Sequence, residues 1–87
     1  MIRKPDASLP ELTIGNFFSI LAQEGIVLVN CWASSCAACK ALAPIYAKVA
    51  ERHPKHAFVE LDTVAEEELA SSLGIADVPT LMLYRNG

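Results

Sequence analysis

The sequence lacks any long apolar run. The longest unbroken stretch in its middle, Ile26-Val27-Leu28-Val29, stops at Asn30, and a membrane-spanning helix needs about 20 such residues. It lacks a basic excess. Seven Lys and Arg stand against ten Asp and Glu, a formal net charge of -3 spread along the chain, which argues against nucleic acid or an anionic membrane surface as partner. It lacks the pattern of a secretory leader: Arg3-Lys4 imitates the start of one, but Pro5, Asp6 and Pro10 occupy the place of its apolar stretch. It also lacks the dense, even cysteines of a disulfide scaffold, having only three. The odd count and the missing leader point to a reducing compartment, the cytoplasm, with cysteines kept for chemistry. What is present is 87 residues, 53% apolar and 20% charged. That excludes a disordered tail and sets one small domain with a marginal core. A mean hydropathy of +0.33 comes partly from alanine and partly from apolar surface left for something else to cover.

Residues 1–10 read as a Pro-punctuated arm and 11–87 as the domain. Thr13 caps a predicted helix over 14–23, with Ile14, Phe17, Phe18 and Leu21 at helical spacing and Gly25 beyond its end. Residues 26–33 form a β-branched apolar run, the mark of a strand buried on both faces. Ser34-Ser35 cap a second helix over 36–52, with Leu42, Ile45, Tyr46 and Val49 as its stripe and Pro44 inside as a kink. A second strand spans 57–62. Thr63-Val64-Ala65-Glu66 reads as a capping box opening a third helix, with Glu67 and Glu68 favourable in its first turn and Gly74 closing it. A loop carries Val78-Pro79, a short strand runs over 81–84, and Asn86-Gly87 is a hairpin-turn signal. Alternating helices and strands predict an α/β fold built on right-handed crossovers.

The chemistry lies in Cys36-Ala37-Ala38-Cys39, at the junction of the buried strand and a helix start. Two intervening residues in a first helical turn bring two sulfurs within bridging distance. Cys36 faces unpaired amides and the positive end of the helix dipole, which stabilise a thiolate. Cys39, one turn deeper, is more shielded. Cys36 is therefore the expected nucleophile and Cys39 the resolver. Half of a zinc site also reads this way, as do two small buried cysteines without chemistry. Cys31 points into the strand interior, and His53 and His56 lie at the far end of the second helix.

The run Val27-Leu28-Val29-Asn30-Cys31-Trp32-Ala33-Ser34-Ser35-Cys36-Ala37-Ala38-Cys39-Lys40 resembles the active-site strand and helix start of the thioredoxin family. Ala43-Pro44 matches that family's helix proline, Val78-Pro79-Thr80 its cis-proline loop, and Leu83-Tyr84-Arg85-Asn86-Gly87 its next strand and turn. The resemblance implies a thioredoxin-like fold, a central mixed sheet flanked by helices. It implies a further strand and helix after residue 87, so the domain reads as C-terminally incomplete, with a second copy of the chain able to cover the bare sheet face. It implies that Pro79 is cis beside Cys36 and that the backbone at Val78 pairs with an extended substrate. Trp32 is the structural tryptophan beneath the site, and with Ser35 it joins the substrate-facing set. Lys40 and Pro44 are supporting positions.

The departures carry weight. Ser35 stands where the family has Trp, and Ala37-Ala38 where it has Gly-Pro. Asn30 replaces the family's buried aspartate, while Glu60 replaces the lysine near it; Glu60 is either a solvated edge residue or the proton acceptor that Asn30 cannot be. Asp77 precedes the proline loop where a small residue is usual. The reading that results is a thiol–disulfide oxidoreductase acting on protein disulfides. It needs no cofactor beyond its own Cys36–Cys39 disulfide and an electron donor such as thioredoxin reductase. The alternatives are a non-catalytic binding module of the same fold, or a metal or iron–sulfur site shared between the CxxC motifs of two subunits.

Overall fold

A computed structural model describes residues 9–86, so most of the N-terminal arm, and Gly87 of the expected turn, lie outside the described residues. The elements are α1 (Phe17–Leu21), β1 (Ile26–Trp32), α2 (Ala37–Arg52), β2 (Ala57–Asp62), α3 (Glu67–Ser72) and β3 (Thr80–Arg85). The sheet order is β2-β1-β3. β1 runs parallel to β2, with Asn30 opposite Glu60, and antiparallel to β3, with Asn30 opposite Leu81. Its central place explains its mostly apolar sequence: the Val27, Val29 and Cys31 face is fully buried, and on the other face Asn30 is buried while Ile26, Leu28 and Trp32 are half-buried. Outside β2 the chain makes one more bridge. Glu60 N–H donates to Pro10 O at 3.0 Å and Leu12 N–H to Glu60 O at 2.7 Å, so residues 10–12 run beside β2.

The two sheet faces are covered unequally. Val27, Val29, Cys31, Val59 and Leu61 pack with Leu12, Leu21, Leu69 and Ala70 into the main core under α1 and α3. Each of the Val and Leu side chains among them contributes about 1.5–3 kcal/mol by leaving water. The other face carries Leu28, Asn30, Phe58 and Glu60, and α2 lies over it. The Tyr46 ring meets Phe58 edge-on at 5.6 Å between centroids. Beyond α2 the same face is open on β3, where Leu81 is 51% and Leu83 62% exposed.

Several local expectations are corrected. α1 is five residues long, because residues 14–16 turn instead of coiling. Thr13 does not cap α1, whose N-cap is Asn16 with no side-chain cap bond; instead it closes the preceding turn through a reciprocal pair, in which Asn16 N–H donates to Thr13 Oγ1 and Thr13 N–H to Asn16 Oδ1. Ile14 and Phe18, expected on the buried stripe, are exposed. On α2 the buried stripe is Cys39, Ala43 and Tyr46; Ile45 and Val49 are exposed, since the sheet sits one helical position round from the predicted stripe. The cap of α2 is Cys36 itself, not Ser34-Ser35. The capping box at Thr63 does not form. Thr63 Oγ1 donates to Trp32 O, Glu66 Oε1 accepts from Ile14 N–H, and Asp62 Oδ1 takes the amides of Val64 and Ala65. Asp62 thus holds the turn that precedes α3, which begins at Glu67 with Glu66 as its N-cap and no side-chain cap bond. Gly74, at φ +74°, ends α3 in a conformation that glycine adopts without a Cβ penalty. At the base of the sheet, Asn86 and Gly25 clasp each other: Gly25 N–H donates to Asn86 Oδ1 at 2.8 Å and Asn86 N–H to Gly25 O at 2.9 Å.

Candidate active site

β1 delivers the chain to a tight turn, in which Cys36 N–H donates to Ala33 O at 3.1 Å. Cys36 has an extended backbone and caps α2. Its Sγ accepts the Cys39 amide at 3.1 Å. A sulfur here takes one of the orphan N–H groups of the helix start, and a thiolate in this place gains from the hydrogen bond and from the dipole. Cys36 and Cys39 are joined as a disulfide with Cα atoms 5.2 Å apart. Cys36 is half-buried and Cys39 buried, while Ser35, Ala37, Ala38 and Lys40 are exposed around them. Pro44 lies within α2, exposed, and the helix runs on past it.

The Val78–Pro79 bond is cis. It leads directly into β3, whose first residue, Thr80, is paired with Cys31 at the end of β1. The proline loop and the cysteine turn therefore sit at the same end of the sheet. Thr80 Oγ1 donates to the Asp77 carbonyl and steadies the loop; Val78 is half-buried, and Pro79 and Asp77 are exposed. Trp32, paired with Asp62, is half-buried. Its carbonyl takes two bonds from Thr63.

Beneath α2 lies a polar layer. Asn30 is 1% and Glu60 2% exposed. Glu60 is thus no solvated edge residue, because α2 covers it from above and residues 10–12 cover the strand's outer side. Asn30 Oδ1 and Trp32 Nε1 are buried without a hydrogen-bond partner among the described residues. Tyr46 was legible only as a stripe residue, yet its hydroxyl lies 2.7 Å from Leu28 O and 2.8 Å from Val59 O. The signal was an aromatic hydroxyl on an otherwise aliphatic stripe. Its ionisation is pushed well above that of an ordinary tyrosine, first by burial and then by the Glu60 charge. Cys31 belongs to the opposite face, fully buried, and burial pushes its thiol up to about 11. At neutral pH it is an inert thiol. Among the described residues no group of three or more His, Cys, Asp and Glu side chains converges as a metal site, and no helix is long and apolar enough to cross a membrane.

Comparison with known proteins agrees with this geometry. The thioredoxin family model matches residues 8–87. A Streptomyces coelicolor protein that carries a thioredoxin name is 42% identical over 78 residues, covering 90% of this chain and 58% of its own length. Thioredoxin-1 of Saccharomyces cerevisiae is 35% identical over 75 residues, covering 86% of this chain and 73% of its own. The solved structure of Plasmodium falciparum thioredoxin superposes with a TM-score of 0.85 at 30% identity, over 91% of this chain and 78% of that one. This chain thus spans little more than half of the Streptomyces relative.

Proposed function

The chain belongs to the thioredoxin family, and we propose that it exchanges dithiol for disulfide with protein substrates. The observation that carries this reading is the bridged pair at the start of α2, with one sulfur on the helix cap and the other buried behind it. In the reduced protein the Cys36 thiolate attacks one sulfur of a substrate disulfide. The other substrate sulfur leaves with the electron pair and takes a proton from water. Cys39 then attacks Cys36, the second substrate sulfur leaves, and the Cys36–Cys39 disulfide remains. Two electrons pass from the protein dithiol to the substrate. Val78 offers backbone groups beside Pro79 to an extended substrate segment, with Ser35 and Trp32 bordering it. A dithiol donor, such as a thioredoxin reductase, restores the dithiol, in a reducing compartment such as the cytoplasm. The redox group is the disulfide itself.

An insulin-reduction assay with a dithiol donor tests this. Wild type accelerates reduction, Cys36→Ser does not, and Cys39→Ser accumulates mixed disulfides. A Cys36→Ser variant as fast as wild type refutes the reading. Leu81 and Leu83 form the face that a second copy of the chain would cover, and concentration-dependent light scattering reads that association.

A further inference from the structure

One charged residue at the substrate ledge has no part in the exchange scheme above. Asp77 stands two residues before the cis proline and is exposed, as Pro79 is. Its backbone carbonyl is engaged: Thr80 Oγ1 donates to it, and residues 77–79 bend back toward the start of β3. Among the described residues its carboxylate pairs with no cation. Thr80 is paired with Cys31 at the end of β1, so the bend stands at the same end of the sheet as the turn that carries Cys36. The sheet also sorts charge between its ends. β1 and β2 are parallel and both run toward the cysteine turn, so the first turn of α3, which carries Glu67 and Glu68, lies at that end too. Lys40 is the one cation there among the described residues. Lys48, Arg52 and Arg85 lie toward the other end, on the later half of α2 and at the end of β3. A negative field at a site draws in cations and repels anions before contact.

We propose that Asp77 is a specificity-determining residue of the exchange site, selecting disulfide segments that carry Lys or Arg close to the cysteine and turning away those that carry Asp or Glu there. The inference rests on the exchange function proposed above and names its substrate class, disulfides set in basic segments. A segment that hydrogen-bonds the backbone at Val78 lies as a strand beside the bend, and its side chains near the cysteine pass close to Asp77. Across such a pairing opposite charges attract and like charges repel. The rest of the seat is indifferent to charge, since Val78, Pro79 and Trp32 are apolar and Ser35 is neutral. The bond from Thr80 gives the bend its shape before the substrate arrives, so presenting the carboxylate does not require ordering a free loop.

Three disulfide-linked peptide dimers test it, identical except for the two residues on either side of the cysteine, which are Lys, Gln or Glu. The second-order rate of reduction by the reduced protein is measured for each. Each rate is divided by that of dithiothreitol, an uncharged dithiol, on the same peptide. The division removes what the flanking charges do to the leaving thiol and to any attacking thiolate. At low salt the normalised rate for the Lys peptide is expected to exceed that for the Glu peptide by about tenfold, since one exposed pair is worth up to about fivefold in either sign. At about 1 M salt, where the Debye length is about 3 Å, the ratio shrinks to about twofold. Asp77→Asn lowers the low-salt ratio to about threefold, by the loss of one such pair, and Asp77→Lys lowers it further. A ratio taken within one protein cancels any loss of folding or rate common to the peptides. A ratio near one in wild type, or one that both variants leave unchanged, overturns the proposal. A wild type that reduces none of the three peptides refutes the exchange reading and the selectivity with it, whereas reduction of all three at equal normalised rates refutes the selectivity alone.

Discussion

Replacing Tyr46 by Phe isolates one hydroxyl. The ring stays, so its edge-on contact with Phe58 is kept and no side-chain cavity opens. What goes is a single O–H set between two carbonyls, Leu28 O at 2.7 Å and Val59 O at 2.8 Å, at a residue 3% exposed. A stranded buried polar group costs about 1–3 kcal/mol. One hydrogen serves two carbonyls here, and neither gains water in exchange, so we expect a loss of about 2 kcal/mol. For a domain of this size that lowers Tm by about 10 °C. Urea unfolding is the assay, with the two proteins sharing one m-value. There is a second signature. Burial first, and the Glu60 charge second, raise the Tyr46 ionisation above its ordinary 10.0. A folded-state value above the unfolded one means stability is full below pH 10 and declines as pH climbs past it. The Phe variant has no such group, so the stability gap between the proteins narrows above pH 10. A difference under about 0.5 kcal/mol at pH 7, the range of ordinary surface changes, refutes the claim that this hydroxyl fastens α2 to the sheet.

Two further outcomes follow from the cysteines. Alkylation of the reduced protein at neutral pH, read by mass spectrometry, labels Cys36 ahead of Cys39 and Cys31; preferential labelling of Cys31 contradicts its complete burial. Cys31 also shapes the alkaline limb of stability. Its thiol titrates at about 11 when folded against 9.0 for a free one, so stability present below pH 9 is lost as pH rises toward 11, by up to about 2.7 kcal/mol. Urea midpoints of Cys31→Val fall less steeply than those of wild type over that window.

The strands and the cysteine turn were legible because their signals are local. The run from Ile26 is apolar on both faces, the span 57–62 is bounded by turn residues, and the Cys36-to-Cys39 spacing is a property of one helical turn. The depth of Glu60 was not legible. In Ala57-Phe58-Val59-Glu60-Leu61-Asp62 nothing tells an edge strand in water from one closed by residues 10–12 and roofed by α2, since both covers come from distant sequence. The stripe of α2 failed for a related reason. Leu42, Ile45 and Val49 do share one side of the helix, but periodicity fixes only the relative angles of side chains, not where the sheet lies. The caps differ because several acceptors compete near each helix start: the Cys36 sulfur takes the α2 amide in place of the serines, while Asp62 and Thr63 bond the turn before α3 and leave its start without a side-chain cap.

The clasp between Asn86 and Gly25 sets how this fold answers to force. β3 runs antiparallel to β1, so a pull on the chain beyond Asn86, directed away from the sheet, loads the bonds of that ladder singly. The clasp takes the load first, then the pair Arg85 and Ile26, and so on toward Thr80. β3 peels off like a zipper at low tension. β2, parallel to β1, is held by bonds that such a pull does not load in turn. The disulfide, α2 and the polar layer beneath it therefore outlast the strand that carries the proline ledge, and tension at that end strips the substrate seat before it reaches the redox centre.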